Sequence, residues 1–292
     1  MGGAAVPSPG REVVRIAMWS GPRTLSTALM RSFGNRADTV VVDEPLYGYY
    51  LARTGVEHPG REEIIASMPC DWAEVIERLT SGPLPAGATV FYQKHMTHHL
   101  LPEVDRARLA GLRHAFLIRD PRRLLASYAK VRQAPTLADL GLEQQVDIYR
   151  RFGGPVIDAA DLAARPRATL EALCAALGIP FDPAMLAWPT GPRSTDGVWA
   201  KYWYARVWES AGFESPQPEA AGEPAALSRG NDRPSSPRPA PPPRPAPPVR
   251  SPPPVPPAPP LPPAPLPPHL EPLASLCHPY YAELLPHALR TS

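Results

Sequence analysis

Small and polar residues form a short turn between an apolar segment and an amphipathic one, close to the start of the sequence. An apolar strand that leads through such a turn directly into a helix places backbone N–H groups at the positive end of the helix dipole. This arrangement binds a phosphate or a sulfate. We therefore expect an anion to be bound by the residues of the turn: Ser20, Gly21, Pro22, Arg23, Thr24, Leu25, Ser26 and Thr27.

The turn lacks the pattern of an ordinary ATP-binding loop, which has a glycine, four residues and then Gly-Lys-Ser/Thr. Its fixed positive charge comes from Arg23, and Ser26 and Thr27 add hydroxyl donors at the start of the helix. The pattern argues against ordinary nucleotide hydrolysis with magnesium. The alternative is that Ser26 or Thr27 only caps the helix or packs within it.

A second polar motif follows a later strand of the sequence. Arg119 comes at the end of the predicted strand 114–118, and Ser127 lies two helical turns further on. Ligands of parallel sheets bind where the carboxyl ends of the strands meet, so these two side chains could hold a second phosphate at the edge that carries the first turn. The alternative is a surface ion pair between Arg119 and Asp120, which contributes little to stability.

Together the two motifs resemble those of the sulfotransferases that use 3′-phosphoadenosine 5′-phosphosulfate (PAPS), and bacterial-type soluble members most of all. The segment Gly-Pro-Arg-Thr-Leu-Ser-Thr is similar to the family's 5′-phosphosulfate turn, with Arg23 in place of a lysine. Arg119 and Ser127 match the spacing of the family's 3′-phosphate arginine and serine. The resemblance implies PAPS as the sulfuryl donor. A looser match to the family's C-terminal cofactor loop adds Arg193 and Lys201 as cofactor-binding residues.

Sulfuryl transfer requires a base that removes the acceptor's proton and cations that hold the departing oxygen. Glu44 lies where carboxylate-using members of the family have their base, and His95 lies where imidazole-using members have theirs. We expect Glu44 to be the base, His95 to be the second candidate and Lys94 to stabilise charge. The histidines at 95, 98 and 99 lack a regular metal-ligand spacing, so we expect no metal site.

The elements that position these residues alternate between strand and helix. This alternation predicts an α/β fold in which helices cover both faces of a central parallel sheet, and the resemblance implies the P-loop-like sulfotransferase architecture. More than half of the 44 prolines follow residue 215, in a stretch that cannot bury enough apolar surface to fold. We expect a flexible N-terminus (1–12), the α/β domain (13–213), a disordered Pro-rich insertion (214–267) and a C-terminal helix that packs on the domain (268–292).

Two further sets of residues are candidates for contacts with the ligands. The aromatic residues between 199 and 208 could stack on an adenine, although packing in the core is the more common role for such rings. We expect the loops 47–59 and 133–141 to form the pocket for a small-molecule or glycan acceptor.

Composition limits the other possibilities. The net charge of +2 gives no general argument for nucleic-acid binding. The sequence contains no apolar run of about 20 residues, so we expect no membrane span. Its three dispersed cysteines indicate a reduced, cytoplasmic protein. Two alternative functions remain: a P-loop-like kinase, and a non-catalytic adaptor whose Pro-rich tract binds SH3 or WW domains.

Overall fold

The computed structural model describes residues 13–130, 134–213 and 265–290. Five strands form one sheet in the order β2-β3-β1-β4-β5, and every neighbouring pair is parallel. The expected α/β fold with a central parallel sheet is therefore confirmed. The strands are Val14–Ser20 (β1), Thr39–Asp43 (β2), Val90–Met96 (β3), Arg113–Ile118 (β4) and Val156–Asp158 (β5).

Helices and short 3₁₀ turns cover both faces of this sheet. The helices are Ser26–Phe33 (α1), Tyr47–Thr54 (α2), Arg61–Ser67 (α3), Trp72–Thr80 (α4), Pro121–Tyr128 (α5), Leu137–Leu140 (α6), Leu142–Phe152 (α7), Ala159–Ala164 (α8), Pro166–Ala176 (α9), Ala200–Trp203 (α10), Ala205–Glu209 (α11) and Glu271–Leu284 (α12). The 3₁₀ turns are Thr97–His99, Arg106–Leu109, Pro183–Leu186, Pro268–Leu270 and Leu285–His287.

The central strand β1 is buried on both faces, as expected for a parallel sheet. Ile16 and Met18 pack into a core with α1 and α9, whereas Ala17 and Trp19 pack into the opposite core with α4 and α7. Alternate residues of a strand point to opposite faces, so each core receives every second side chain. The carboxyl end of β1 thus leads into the polar turn from a rigid support.

Strand β3 is longer than the sequence indicates. The apolar pattern predicts a strand that ends at Gln93, but the structure continues it to Met96, paired with β1 and β2. Lys94 and His95 are therefore strand residues rather than loop residues. Because they are adjacent in the strand, their side chains point to opposite faces of the sheet.

The last helix, α12, packs against α5 and α7. Arg150 of α7 pairs with Glu283 at 2.7 Å, and the backbone N–H of Leu289 donates to the carbonyl of Val156 in β5. The expected flexible N-terminus, 1–12, and nearly all of the expected Pro-rich insertion lie outside the described residues. In the part of the chain that the structure describes, no helix is long and apolar enough to cross a membrane.

Candidate active site

The turn between β1 and α1 has an unusual backbone. Arg23 has a φ of 60° and Leu25 a φ of 67°, both in the left-handed region that residues other than glycine seldom occupy. The hydroxyl of Thr24 donates to the carbonyl of Gly21 at 2.9 Å and closes the turn. Leu25 precedes α1 and its side chain cannot accept a hydrogen bond, so it leaves the first N–H groups of the helix uncapped. Backbone strain of this kind is often found at binding sites.

Gly21 is required in the turn by close packing. A Cβ at this position would lie 2.8 Å from the carbonyl oxygen of Leu140 in α6. Ser20 is buried at the end of β1, where its hydroxyl lies 3.4 Å from the carbonyl oxygen of His95. Pro22, the next residue of the turn, is half-buried. The sheet and α6 thus hold the turn from two directions.

The structure brings the two polar motifs of the sequence together. Nε of Arg23 donates to the hydroxyl of Ser127 at 3.2 Å. Arg119, which directly follows β4, donates from Nη1 to the carbonyl of Arg23. Ser26 and Thr27 lie in the first turn of α1, immediately after this group. One edge of the sheet therefore carries two guanidinium groups, three hydroxyls and a helix N-terminus.

The electrostatics of this edge favour an anion. Burial lowers the pKa of Arg23 and of Arg119, and each is lowered further by a neighbouring guanidinium group. Within the part of the chain that the structure describes, neither arginine forms an ion pair with a carboxylate. Both remain cationic because the ordinary pKa of arginine is above about 12. Two partly buried cations at one edge are an arrangement that would suit a phosphate or a sulfate.

A buried group of polar side chains lies at the carboxyl end of β2. The ammonium group of Lys94 donates to Asp43 at 2.8 Å, to Glu44 at 2.6 Å and to the hydroxyl of Tyr204 at 2.8 Å. The Tyr204 hydroxyl in turn donates to the second oxygen of Asp43. A lysine ammonium group has three hydrogens, and here these three contacts engage all of them. Lys94 therefore holds the two carboxylates in position and has no hydrogen left for another oxygen.

Charge interactions in this group are strong because all its members are buried. Burial lowers the pKa of Lys94, but Asp43 and Glu44 outweigh that effect and hold it well above its ordinary value. Burial raises the pKa of the Glu44 carboxyl, against the attraction of Lys94. A carboxylate with a raised pKa is a stronger base than an exposed one.

His95 is not part of this group. Its ring stacks on Trp19 at 4.3 Å between centroids and lies 3.1 Å from the side-chain oxygen of Gln93, on the other face of the sheet. Burial and the nearby His114 lower its pKa to about 3. The structure therefore places Glu44 and Lys94 together and His95 apart from both.

Aromatic rings and imidazoles adjoin Glu44. The Tyr47 hydroxyl lies 2.6 Å from Nδ1 of His58, and the Tyr47 ring stacks on His99 at 4.5 Å. Trp199 meets the same tyrosine edge-on at 5.2 Å. Burial and the charge of Glu44 raise the pKa of Tyr47, whereas burial and His98 lower that of His99. This cluster includes α2, where the sequence indicates only a loop.

The two remaining cofactor candidates lie elsewhere. Arg193 reaches Asn35 at 3.4 Å, beyond the C-terminal end of α1. Lys201 is exposed and pairs with Glu63 at 2.5 Å. Among the hydrogen bonds and ion pairs of the described residues, none joins Arg193 or Lys201 to Arg23 or Arg119. Sequence reasoning missed the role of Tyr204, which it treated only as one ring of an aromatic run. The hydroxyl that bonds to Lys94 and Asp43 is what distinguishes Tyr204 from the neighbouring tryptophans.

A family model described as a sulfotransferase domain matches residues 14–228. The chain belongs to the sulfotransferase domain family. This match covers both polar motifs and the buried carboxylate group. The resemblance seen in the sequence is therefore confirmed at the level of the family.

Two curated relatives come from Arabidopsis thaliana and are named branched-chain-amino-acid aminotransferase-like proteins 1 and 2. The sulfotransferase-family protein is 42% and 40% identical to them over 208 residues, which is 69% of this chain. It spans 37% and 36% of their length.

Solved structures similar to this chain include the sulfotransferase domain from the curacin biosynthetic pathway. The match has a TM-score of 0.43 and 16% sequence identity, and it covers 66% of this chain and 83% of that domain. Another is the sulfotransferase domain from the Synechococcus PCC 7002 olefin synthase, with a TM-score of 0.45 and 16% identity over 75% of this chain and 93% of that one.

Proposed function

We propose that the protein transfers a sulfuryl group from 3′-phosphoadenosine 5′-phosphosulfate to a hydroxyl or an amine of a small-molecule or glycan acceptor. The observation that supports this most directly is the convergence of Arg23, Arg119 and Ser127 at one edge of the sheet. One cation would serve a single phosphate. Two cations and an uncapped helix N-terminus suit a nucleotide with two separate anionic groups.

In this proposal the two anions of the donor bind different parts of the edge. The turn from Ser20 to Thr27 and the first N–H groups of α1 bind the 5′-phosphosulfate, with Arg23 as its cation. Arg119 and Ser127 bind the 3′-phosphate. The residues present suit such a donor because two partly buried guanidinium groups lie together there, and bound anions would offset the cost of their burial.

Glu44 is the proposed base. Its carboxylate takes the proton of the acceptor hydroxyl or amine as the new bond from that oxygen or nitrogen to sulfur forms. The bond between sulfur and the bridging oxygen breaks at the same time, and its electron pair stays on the nucleotide phosphate beside Arg23. Lys94 and Asp43 orient Glu44, and the cluster around Tyr47 forms one wall of the acceptor pocket.

Calorimetric titration with 3′-phosphoadenosine 5′-phosphate tests donor binding. We expect wild-type protein to bind this nucleotide, and Arg119→Ala to weaken binding by about 10- to 100-fold, the effect of losing a hydrogen bond to a charged group. The substitution should weaken the binding of adenosine 5′-monophosphate much less, because that nucleotide lacks the 3′-phosphate.

Arg53→Ala is the matched control, because Arg53 is an exposed arginine paired with Glu103. It should leave nucleotide binding unchanged. No binding of the bisphosphate to wild-type protein at high micromolar concentration would refute the proposal. A screen of alcohols, sugars, phenols and amines with labelled donor then identifies the acceptor.

A further inference from the structure

The buried polar group at the carboxyl end of β2 contains two acids and one base. Asp43 and Glu44 share a single cation, the ammonium group of Lys94, which lies 2.8 Å from the first and 2.6 Å from the second. An uncompensated charge is costly in a buried site, so one of the two carboxylates takes up a proton more readily than a carboxylate in water. Which of the two takes it decides which can serve as a base.

The hydroxyl of Tyr204 treats the two carboxylates differently. Its oxygen lies 2.8 Å from Nζ of Lys94, 3.4 Å from the indole nitrogen of Trp199 and 2.5 Å from Oδ2 of Asp43. An ammonium group and an indole N–H can only donate. The one hydrogen of the Tyr204 hydroxyl therefore points to Asp43, because neither of the other two neighbours can accept it.

Both oxygens of Asp43 are thus occupied by donors. Oδ1 accepts from Lys94 and Oδ2 from Tyr204. Glu44 accepts from Lys94 through Oε1, and none of the hydrogen bonds among the described side chains involves its Oε2. The Glu44 side chain is 10% exposed, against 2% for Asp43. Hydrogen bonds donated to a carboxylate favour its charged form, so a proton that enters the group goes to Glu44.

The other titratable groups nearby do not change this choice. The charge of Lys94 acts on Tyr47 of α2, on Tyr92 of β3 and on His99. Burial raises the pKa of both tyrosines and lowers that of His99, so all three stay neutral near pH 7. The two carboxylates hold the pKa of Lys94 well above its ordinary value, and it stays charged. Among these neighbours only the two carboxylates compete for a proton.

We propose that Tyr204 is a positioning residue that directs the proton of this group to Glu44 and so makes Glu44, rather than Asp43, the base. The catalytic part of this proposal rests on the proposed function, in which Glu44 takes the proton of the acceptor. That proton passes from the acceptor's oxygen or nitrogen to Oε2 of Glu44, while Lys94 and Tyr204 keep their hydrogens and Asp43 gains none. Tyr204 touches neither donor nor acceptor in this scheme and acts through Asp43.

Carbon-13 NMR of the full chain, labelled at the side-chain carboxyl carbons of aspartate and glutamate, tests the proposal as the pH is lowered. Asp43→Asn and Glu44→Gln identify the two signals by their absence. In wild type we expect Glu44 to take up a proton at a pH at least about one unit above that for Asp43.

Tyr204→Phe removes the donor to Oδ2 of Asp43, so the two carboxylates should then share the first proton. The pH at which Glu44 is half protonated should fall by about one unit, and that for Asp43 should rise. A general loosening of the group would admit water and move both in the same direction. Tyr280→Phe, which removes a tyrosine hydroxyl from α12, is the control and should leave both titrations unchanged.

The proposal is overturned if Asp43 is protonated before Glu44 in wild type, if Tyr204→Phe leaves Glu44 unmoved, or if the two carboxyls move in the same direction. If Tyr204→Phe does not fold, the order of protonation in wild type decides alone. The titration requires neither donor nor acceptor. Failure of 3′-phosphoadenosine 5′-phosphate to bind would therefore count against the proposed function and leave the effect of Tyr204 on the proton to be judged by the NMR result.

Discussion

Glu44 combines a reactive group with a constrained backbone. Its φ of 43° lies in the left-handed region. The position is fixed by two backbone hydrogen bonds, from its own N–H to the carbonyl of Lys94 and from the N–H of Tyr47 to its carbonyl. Strain of this kind costs roughly 1–3 kcal/mol and persists only where the surroundings enforce it. The constraint aims the carboxylate between Lys94 and the Tyr47 cluster.

Glu44→Gln tests the role of this carboxylate. The substitution keeps the size of the side chain but removes the base, and Lys94 keeps Asp43 as its counter-ion. With the acceptor found by screening, we expect kcat to fall by about 10²- to 10⁴-fold, the usual contribution of a general base. The affinity for 3′-phosphoadenosine 5′-phosphate should stay within a factor of two.

Glu103→Gln provides the comparison, since Glu103 is a carboxylate on the surface that pairs with Arg53. It should leave kcat unchanged. A Glu44→Gln protein that retained normal kcat would exclude Glu44 as the base and would turn attention to His99, which adjoins the same cluster.

At this scale the sequence indicated candidate residue types but not how the fold arranges them. The candidate anion turn and Arg119 could be singled out because each follows an apolar segment. The separation of His95 from Lys94 could not, because it depends on three further residues of β3 pairing with β1. The hydrogen bond that Lys94 donates to Tyr204 joins residues 110 positions apart, and no local pattern encodes such a contact.

Among the elements, α12 reaches the sheet at the last residue of β5. The hydroxyl of Tyr281 donates to Asp158 at 2.7 Å, and Asp158 also accepts from the N–H of Ala160 at the start of α8. Asp158 is the last residue of β5 and pairs in register with Ile118, which precedes Arg119. The C-terminal helix therefore supports the edge of the sheet that carries the proposed 3′-phosphate site.

Tyr281→Phe tests this support. Burial raises the pKa of Asp158, and the hydrogen bonds from Ala160 and Tyr281 oppose that rise. Removing the hydroxyl leaves a buried carboxylate oxygen with one partner fewer, so we expect the free energy of unfolding to fall by about 1–2 kcal/mol. Urea denaturation at pH 7 measures it. Tyr280→Phe, a change at the neighbouring tyrosine, is the control and should lower the free energy of unfolding by less than about 0.5 kcal/mol. Equal losses of stability in the two variants would contradict this role of Tyr281.

The amphipathic pattern of the last segment predicted a helix but not its buried face. Leu276 belongs to the apolar stripe, yet 61% of its surface is exposed. Ala274 and Cys277 are buried instead. Ala274 and Cys277 pack with Leu124 and Leu125 of α5 and with Leu142 of α7, and periodicity does not say which side of a helix its neighbours will cover.

For the whole molecule, the alternation of strands and helices was enough to predict a parallel sheet covered on both faces. The faces themselves differ in a way that the alternation does not reveal. One face carries Lys94 and its carboxylates. The other carries a stack of rings in which Trp19 lies on His95 and His114 lies on Phe152. We expect the histidines of this stack to affect the stability of the entire fold.

Acid should destabilise the protein through this stack. Burial lowers the pKa of His95 to about 3 and that of His114 to about 4. In the unfolded chain each histidine titrates near 6.5. As the pH falls below 6.5 the unfolded state therefore binds protons that the folded state cannot, and stability is lost until the folded pKa is reached. Between pH 6 and 4.5 each of these histidines should lower the free energy of unfolding by roughly 1.5–2 kcal/mol.

His114→Phe isolates one of these contributions. Nδ1 of His114 accepts the indole N–H of Trp19 at 3.0 Å, so protonation of that nitrogen breaks the hydrogen bond. The variant loses this bond at every pH and is less stable throughout. Its loss of stability between pH 6 and 4.5, measured by urea denaturation, should nevertheless be smaller than that of wild type by roughly 1.5–2 kcal/mol. The pKa of Asp38 is lowered to about 2, so the stability that this carboxylate adds is lost mainly below pH 4.5. His278→Gln, a change at an exposed histidine, is the control and should keep the pH dependence of wild type. If His114→Phe also kept that pH dependence, His114 would not be held neutral by burial.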